Sequence, residues 1–216
     1  MKIYNVKNIP SAAVSFAAIL SIAACGGPAP ERVREVYYDF SSQVSHRNGP
    51  EAGKVVNEAT LRHYALLKVI ALNGGRGMNS IGIYDELSVY FLRARYDIPA
   101  LEKFTGRDIL SILVQAGLVG EDDFETFELE DLRYTNNQAR ADLFKNGADT
   151  ELDVWFERED GRWRIDGKRF REIRNEMLER RIIQFDGNRE EVISELLKSR
   201  GVLEGLTPEL KRPLKS

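Results

Sequence analysis

The sequence has few thiol and imidazole groups, and it has no large excess of either charge. It contains one cysteine and two histidines in 216 residues, with 31 basic and 34 acidic side chains. A single cysteine cannot form a disulfide within the chain, so stability must come from packing. The histidines have no metal-ligand spacing, and we predict neither a metal site nor a cofactor. The near-neutral balance of charge argues against a nucleic-acid partner.

One apolar run lies near the amino terminus, between Pro10 and the single cysteine. Lys2 and Lys7 precede this run, and the first 30 residues contain no acidic side chain. The run is shorter than the roughly 20 residues that a membrane-spanning helix needs, but it suits a secretory signal peptide. It also has no polar face, which argues against a buried amphipathic helix. We therefore predict a signal peptide over residues 1–24.

The residues around the cysteine, Ile22-Ala-Ala-Cys25, resemble the lipobox of bacterial lipoproteins. In that motif an aliphatic residue and two small residues precede a cysteine, although Leu is commoner than Ile at the first position. The resemblance implies cleavage after Ala24 and diacylglyceryl (palmitate-type) lipidation of Cys25, which becomes the mature amino terminus. More than one acyl chain gives stable membrane anchoring. The alternative is ordinary signal cleavage beside a free cysteine.

Gly26, rather than Asp, follows the cysteine. In bacteria of the enteric type this pattern implies release to the outer membrane. We therefore expect a protein of the bacterial cell envelope, lipid-anchored and facing the periplasm, with residues 25–29 as a lipidated tether.

Helical periodicity dominates the next hundred residues. It predicts a helix over residues 30–44, and a second helix that starts at Pro50 and ends at Asn73. The predicted apolar face of the second helix is Val56, Ala59, His63, Leu66, Leu67 and Ile70. A short strand over residues 81–84, a helix capped by Asp85, and a helix that follows Thr105 come next. The glycine-rich residues 74–79 fit no nucleotide-binding fingerprint and indicate a turn.

Two-residue periodicity begins near residue 124 and predicts strands from Phe127, around Ala139 to Leu143, and over residues 151–158. Asp160-Gly161 is a typical two-residue hairpin turn. This turn sets Phe156 opposite Ile165, and it sets Glu157 opposite Arg164. Opposite charges then meet on one face and apolar side chains meet on the other, so a slip of one residue would lose both matches.

Two further helices are expected, over residues 171–185 and 190–200, and residues 204–216 are predicted to be loose. The whole pattern predicts an α+β fold, in which amino-terminal helices pack on a curved antiparallel sheet and additional carboxy-terminal helices follow.

This order of elements resembles the nuclear-transport-factor-2-like (cystatin-like cone) superfamily. The segment VWFEREDGRWRID, Val154 to Asp166, is similar to the penultimate hairpin of that superfamily. The resemblance covers residues 30–170 and leaves 171–216 as a carboxy-terminal helical extension and tail. It implies a cone with a pocket between helices and sheet. Some members are isomerases, dehydratases or cyclases, and many others are binding or assembly modules.

No complete catalytic set is evident, although His63 and Tyr37 are candidates. Enzymes of the superfamily generally use a carboxylate or a His–Asp pair as the base, often with a tyrosine, for which Tyr64, Tyr84 and Tyr90 are further candidates. The inward sheet positions are all apolar: Leu152, Val154, Phe156, Trp163 and Ile165. A lone histidine on an apolar face is more often structural than catalytic.

The leading hypothesis is therefore a lipid-anchored envelope protein with a noncatalytic binding or assembly domain. Its partners would be the membrane, through Cys25, and either a small apolar ligand or another envelope protein. The alternative is a small pocket enzyme, of the isomerase or hydro-lyase type, that uses His63 as general base. A buried carboxylate beside His63 would favour the enzyme. A third hypothesis is that the carboxy-terminal helices close the pocket or bind a partner.

Overall fold

The computed structural model describes residues 29–74, 78, 81–120, 126–184 and 187–215. The predicted signal peptide, the cleavage site after Ala24 and the lipidation site at Cys25 lie outside these residues.

The predicted α+β fold is confirmed. Helices precede and follow one antiparallel sheet, and the elements are, in chain order, α1 (Ala29–Ser45), α2 (Gly49–Ala52), α3 (Glu58–Asn73), α4 (Ile83–Arg95), α5 (Ile98–Lys103), α6 (Gly106–Gln115), β1 (Phe127–Tyr134), β2 (Gln138–Lys145), β3 (Ala148–Glu159), β4 (Arg162–Asp166), α7 (Gly167–Gln184) and α8 (Arg189–Ser199). Within the described residues, no helix combines the length and the apolar character needed to cross a bilayer.

The prediction of one helix from Pro50 to Asn73 is wrong, because two helices, α2 and α3, occupy this segment. Residues 55–57 between them bond to strand β4 instead of continuing a helix. The amide of Ile165 donates to the Val55 carbonyl at 2.8 Å, and the Asn57 amide donates to the Ile165 carbonyl at 2.9 Å. Asn57 then caps α3, since its side chain accepts from the Thr60 amide.

The apolar face predicted for this segment is also partly wrong. Leu66 is 49% exposed and Ala59 is exposed, whereas the buried side chains of α3 are Thr60, Leu61, Tyr64, Leu67, Ile70, Ala71 and Leu72. The buried face therefore includes a tyrosine at position 64 and excludes two of the expected apolar positions. The cause is that α3 packs against both α4 and α6, and its buried side chains are those that these contacts cover.

The predicted strand over residues 81–84 is wrong, and so is the predicted cap at Asp85. Helix α4 already begins at Ile83, with Gly82 at its N-cap, and Asp85 is buried in the first turn. The Tyr84 amide donates to Oδ1 of Asn175 on α7 at 2.9 Å. A residue 91 positions away therefore satisfies one of the unpaired amides at the start of this helix.

The sheet has the order β1-β2-β3-β4, and the predicted hairpin register is confirmed. Phe156 lies opposite Ile165, and Glu157 lies opposite Arg164. The pairing of β1 with β2 and that of β2 with β3 each contain one register shift. Such irregularities bend strands and increase their local twist.

Helices α7 and α8 share one hydrophobic core with the rest of the domain. Their buried contributors are Leu178, Ile182, Val192, Ile193 and Leu197. Helix α7 begins at Gly167, directly after β4, rather than at the predicted residue 171. It packs against α4 and β3, so its position depends on both the helices and the sheet.

The prediction of a loose carboxy-terminal segment is wrong for residues 204–215. The Leu214 amide donates to the Ala71 carbonyl at 3.3 Å, and the Lys215 amide donates to the Leu72 carbonyl at 2.7 Å. The last turn of a helix leaves carbonyl groups without helical partners, and this segment supplies donors for two of them.

The buried side chain of Arg93 links the same segment to the end of α3. Its Nε donates to the Ala71 carbonyl at 3.0 Å, its Nη2 to the Ile70 carbonyl at 3.0 Å, and its Nη1 to the Leu210 carbonyl at 2.9 Å. Burial lowers the pKa of Arg93. The fork of a guanidinium group presents donors in several directions, which lets one side chain join two segments.

Candidate functional site

An apolar cavity of about 110 Å³ lies between the helices and the sheet. Its walls come from α1, α3, α4, α6 and α7, from strands β1 to β3, and from the connections beside them. The apolar lining includes Phe40, Val56, Leu110, Val119, Phe127, Leu143, Leu152, Phe170, Ile173 and Met177. An apolar cavity of roughly 150 Å³ binds benzene, and this one is somewhat smaller, so its size is of the order that takes one small apolar group.

Five polar side chains line the same cavity: Thr60, Tyr64, Tyr84, Arg171 and Arg174. Tyr64 and Tyr84 are hydrogen-bonded to each other. Burial raises the pKa of Tyr84 to about 12, against the opposing effect of Arg174, and it raises the pKa of Tyr64 well above its ordinary value. Both phenols are therefore neutral at pH 7. The Nη1 of Arg171 is buried and has no hydrogen-bond partner among the described residues.

A second cavity, of about 290 Å³, lies beside the first. Four of its lining residues are arginines: Arg47, Arg174, Arg181 and Arg200. The two cavities share the lining residues Val119, Gly120, Arg174 and Met177, so they meet along one wall. Among the described residues, the lining of the second cavity contains no acidic side chain.

Helix α7 contributes to both cavities because the residues that line them recur at helical spacing along it. Arg171, Arg174, Leu178 and Arg181 recur every three or four residues, which places them on one face of the helix. The arginine repeat was visible in the sequence, but its proximity to residues such as Arg47 depends on tertiary packing.

Of the candidate phenols, Tyr64 and Tyr84 line the apolar cavity, whereas Tyr37 and Tyr90 do not. Tyr37 is fully buried in α1, where its ring packs edge-on against Tyr38 with centroids 5.3 Å apart. Burial raises the pKa of Tyr37 and that of Tyr90. Tyr90 donates to Glu86, one turn away on the same helix, at 2.9 Å.

His63 lies beside a buried carboxylate, which is the feature that would favour an enzyme. Its Nε2 is 3.0 Å from Oδ1 of Asp85, and the two side chains are 19% and 8% exposed. Neither residue lines the apolar cavity or the arginine-lined cavity. The contact joins α3 to α4.

Sequence analysis missed the buried carboxylate of Asp153, which lies on the opposite face of β3 from Val154. It accepts hydrogen bonds from Arg169 at 2.7 Å and from the indole of Trp155, and it pairs with Arg140 at 2.8 Å. Burial alone would raise the pKa of Asp153, but Arg169, Trp155 and Arg140 together lower it. This cluster fixes the start of α7 to the sheet.

The inward sheet residues are placed as expected, since Val154, Phe156, Trp163 and Ile165 are all buried. Leu152 is partly buried and lines the apolar cavity. Within the described parts of the chain, no group of three or more His, Cys, Asp or Glu residues is arranged to hold a metal ion.

Comparison with known proteins gives no relative for this chain, because no protein-family model, curated protein or solved structure matches it.

Proposed function

We propose that the chain is a lipid-anchored protein of the bacterial cell envelope whose folded domain binds a small apolar ligand without chemistry. The observation that carries the binding function is the apolar cavity between the helices and the sheet. Small-molecule sites are typically concave, largely apolar and supplied with a few polar groups, and this cavity has that character.

The polar groups of the cavity suit recognition. Tyr64 and Tyr84 stay neutral at pH 7, so they offer hydroxyl groups rather than charges to a ligand. Thr60 adds a third hydroxyl at the start of α3, where it accepts from the Gly167 amide at 2.8 Å. Rigid helix termini and buried aromatic rings hold these groups in fixed directions, which favours selective binding.

The proposed cone fold of the nuclear-transport-factor-2-like type agrees with a four-stranded antiparallel sheet and helices that together line a cavity. The proposed anchor agrees with the position of the first described helix. Helix α1 begins at Ala29, so only a few residues would separate the domain from a lipidated Cys25. A tether of that length would keep the cavity close to the membrane surface.

The contact between His63 and Asp85 is the observation that favours the alternative, an isomerase or hydro-lyase. A general base must lie within hydrogen-bond reach of the proton that it removes, directly or through one water molecule. Because neither His63 nor Asp85 is among the residues that line the apolar cavity or the arginine-lined cavity, the geometry supports binding better than catalysis.

The binding function is tested with hexanol as the probe, in thermal unfolding of the full chain. A ligand at ten times its dissociation constant adds about 1.4 kcal/mol to the free energy of unfolding, which raises Tm by about 3–6 °C for a chain of this size. The variant Leu152→Phe fills the cavity and should lose this shift. The control Leu66→Phe makes the same change at an exposed position outside the cavity and should keep it.

Absence of a hexanol effect on the unmodified chain, or equal effects in both variants, would contradict the binding proposal. The anchor is tested separately by Cys25→Ser, which should abolish lipidation and move the protein out of the membrane fraction. An unchanged mass and unchanged fractionation would refute the lipobox interpretation.

A further inference from the structure

We propose that the apolar cavity between the helices and the sheet contains a carboxylate-binding position, and that the ligand of the domain is a short-chain monocarboxylate. This inference rests on the proposed binding function and assigns the chemical class of the ligand. The carboxylate would accept a hydrogen bond from Arg171, and the alkyl chain would lie among the apolar side chains of the lining.

Arg171 supplies the cavity with a hydrogen-bond donor that no described residue uses. Its partly buried side chain lines the cavity, and its Nη1 is fully buried without a partner in the described part of the chain. Nη1 lies 3.4 Å from the point that a Cβ on Gly167 would occupy, and Gly167 also lines the cavity. A buried donor without a partner costs free energy, and an acceptor on a ligand recovers that cost.

The charge of Arg171 is not balanced by an acidic side chain. Among the described residues, none of those that line the cavity is acidic, and Arg171 forms no ion pair. Asp85, an acidic residue close to the two phenols of the cavity, pairs with His63 at 3.0 Å instead. The first turn of α7 also has no acidic residue, so the positive end of this helix adds to the charge of the guanidinium group.

The two phenols add a second donor near the guanidinium group. The charge of Arg171 lowers the pKa of both Tyr64 and Tyr84, which places it within electrostatic reach of both. One phenol donates to the other, so the second hydroxyl keeps its proton for another acceptor. Thr60 has already donated its proton, to Oδ1 of Asn57 at 2.6 Å. A ligand that satisfies Arg171 and the phenols therefore needs acceptor oxygens.

The single charge and the small volume favour a monocarboxylate. A carboxylate has one charge and two acceptor oxygens, which match one guanidinium group and one hydroxyl. A phosphate monoester has a charge of about −1.5 to −2 at pH 7, more than one arginine balances. The cavity volume of about 110 Å³ is smaller than the roughly 150 Å³ of a cavity that binds benzene, so it suits a short alkyl chain.

The test compares the binding of pentanoate and pentanamide by titration calorimetry, with hexanol as the apolar reference. Pentanoate and pentanamide have the same shape and differ in charge. The protein is the full chain carrying Cys25→Ser, so that no acyl chain of its own competes. Pentanoate should bind about tenfold more tightly than pentanamide, because hydrogen bonds between two charged groups are the stronger ones.

Two variants on α7 separate Arg171 from general surface charge. Arg171→Gln should reduce the preference for pentanoate over pentanamide to less than about twofold. Its binding of hexanol should persist, which shows that the variant is folded. Arg180→Gln removes the same charge from an exposed position of the same helix, outside the cavity lining, and should leave the preference unchanged. Arg171→Lys should keep part of the preference, because it retains the charge and loses the fork.

The outcomes distinguish this inference from the proposed function. Hexanol binding with equal affinities for pentanoate and pentanamide would overturn the carboxylate assignment alone, and so would equal losses of pentanoate affinity in Arg171→Gln and Arg180→Gln. Absence of binding by all three probes would refute the proposed function, and this inference with it. Pentanoate binding that depends on Arg171, without hexanol binding, would support the carboxylate position and restrict the proposed function to anionic ligands.

Discussion

The clearest prediction for stability concerns Arg93, whose substitution by alanine should release the segment 204–215. The side chain is 5% exposed and donates three hydrogen bonds, to the carbonyls of Ile70, Ala71 and Leu210. Hydrogen bonds that involve a charged group contribute about 1.5–3 kcal/mol each. Alanine also avoids the cost of burying a guanidinium group. That cost is several kcal/mol, so its removal offsets part of the stability that is lost with the hydrogen bonds.

The loss of stability is reduced further because two of the three carbonyls keep another hydrogen-bond donor. The Ile70 carbonyl still accepts from the Gly74 amide, and the Ala71 carbonyl still accepts from the Leu214 amide. We therefore expect Arg93→Ala to lower the free energy of unfolding by about 3 kcal/mol, which is in the upper range for single substitutions. Arg93→Lys should recover only part of this, because one ammonium group cannot reach three carbonyls in three directions.

The measurement is equilibrium unfolding in urea, together with hydrogen exchange over residues 204–215. Exchange at the amides of Leu214 and Lys215 should accelerate in Arg93→Ala more than exchange in the strands. Arg95→Ala is the matched control, since it removes an exposed arginine from the end of the same helix and should change stability by less than about 0.5 kcal/mol. Equal stability of Arg93→Ala and Arg95→Ala, or unchanged exchange in the segment, would refute the reasoning.

Two further predictions concern the helix contacts and the cavity phenols. Gly106→Ala should lower the free energy of unfolding in urea by about 3 kcal/mol, because a Cβ there would overlap the backbone carbonyl of Leu61. The control Gly53→Ala, whose Cβ would meet the flexible side chain of Arg107, should change it by less than about 1 kcal/mol. Similar losses in the two variants would contradict the close approach of α6 to α3. The raised pKa of Tyr84, about 12 against an ordinary 10.0, predicts stability that is fully present below pH 10 and is lost as pH rises to 12, by about 1.4 kcal/mol per pH unit. Tyr84→Phe should reduce that slope, the exposed control Tyr134→Phe should not, and an unchanged slope in Tyr84→Phe would show that the phenol is not held neutral.

Sequence patterns predicted correctly those parts of the fold in which the interacting residues lie close together in the chain. The turn at Asp160-Gly161 fixed the register of β3 and β4, and Thr105 with Asp108 forms a capping box at α6. Hydrogen bonds from Thr105 hold the pKa of Asp108 below its usual range, as that motif requires. In both cases the interacting groups lie a few residues apart, so the sequence alone contains the information.

The errors arose where distant residues replace local partners. Asn175 on α7 satisfies the start of α4, which left Asp85 without the capping role that its position suggested. The arginine-lined cavity has the same origin, because its members come from three helix ends or faces. Periodicity identifies which face of α7 carries arginines, but the residues that meet that face depend on tertiary packing.

The bond from Arg93 to Leu210 also has a consequence for the order of folding during synthesis. It joins residues 117 positions apart in the chain. Ribosomes add about 5–20 residues per second, so about 6–23 s separate the synthesis of these two residues. During that interval α3 and almost all of α4 have been synthesised, but the segment that covers the carboxy-terminal end of α3 has not. The helical half of the domain therefore reaches its final packing only after residues 204–215 have left the ribosome, even though its own helices are made first.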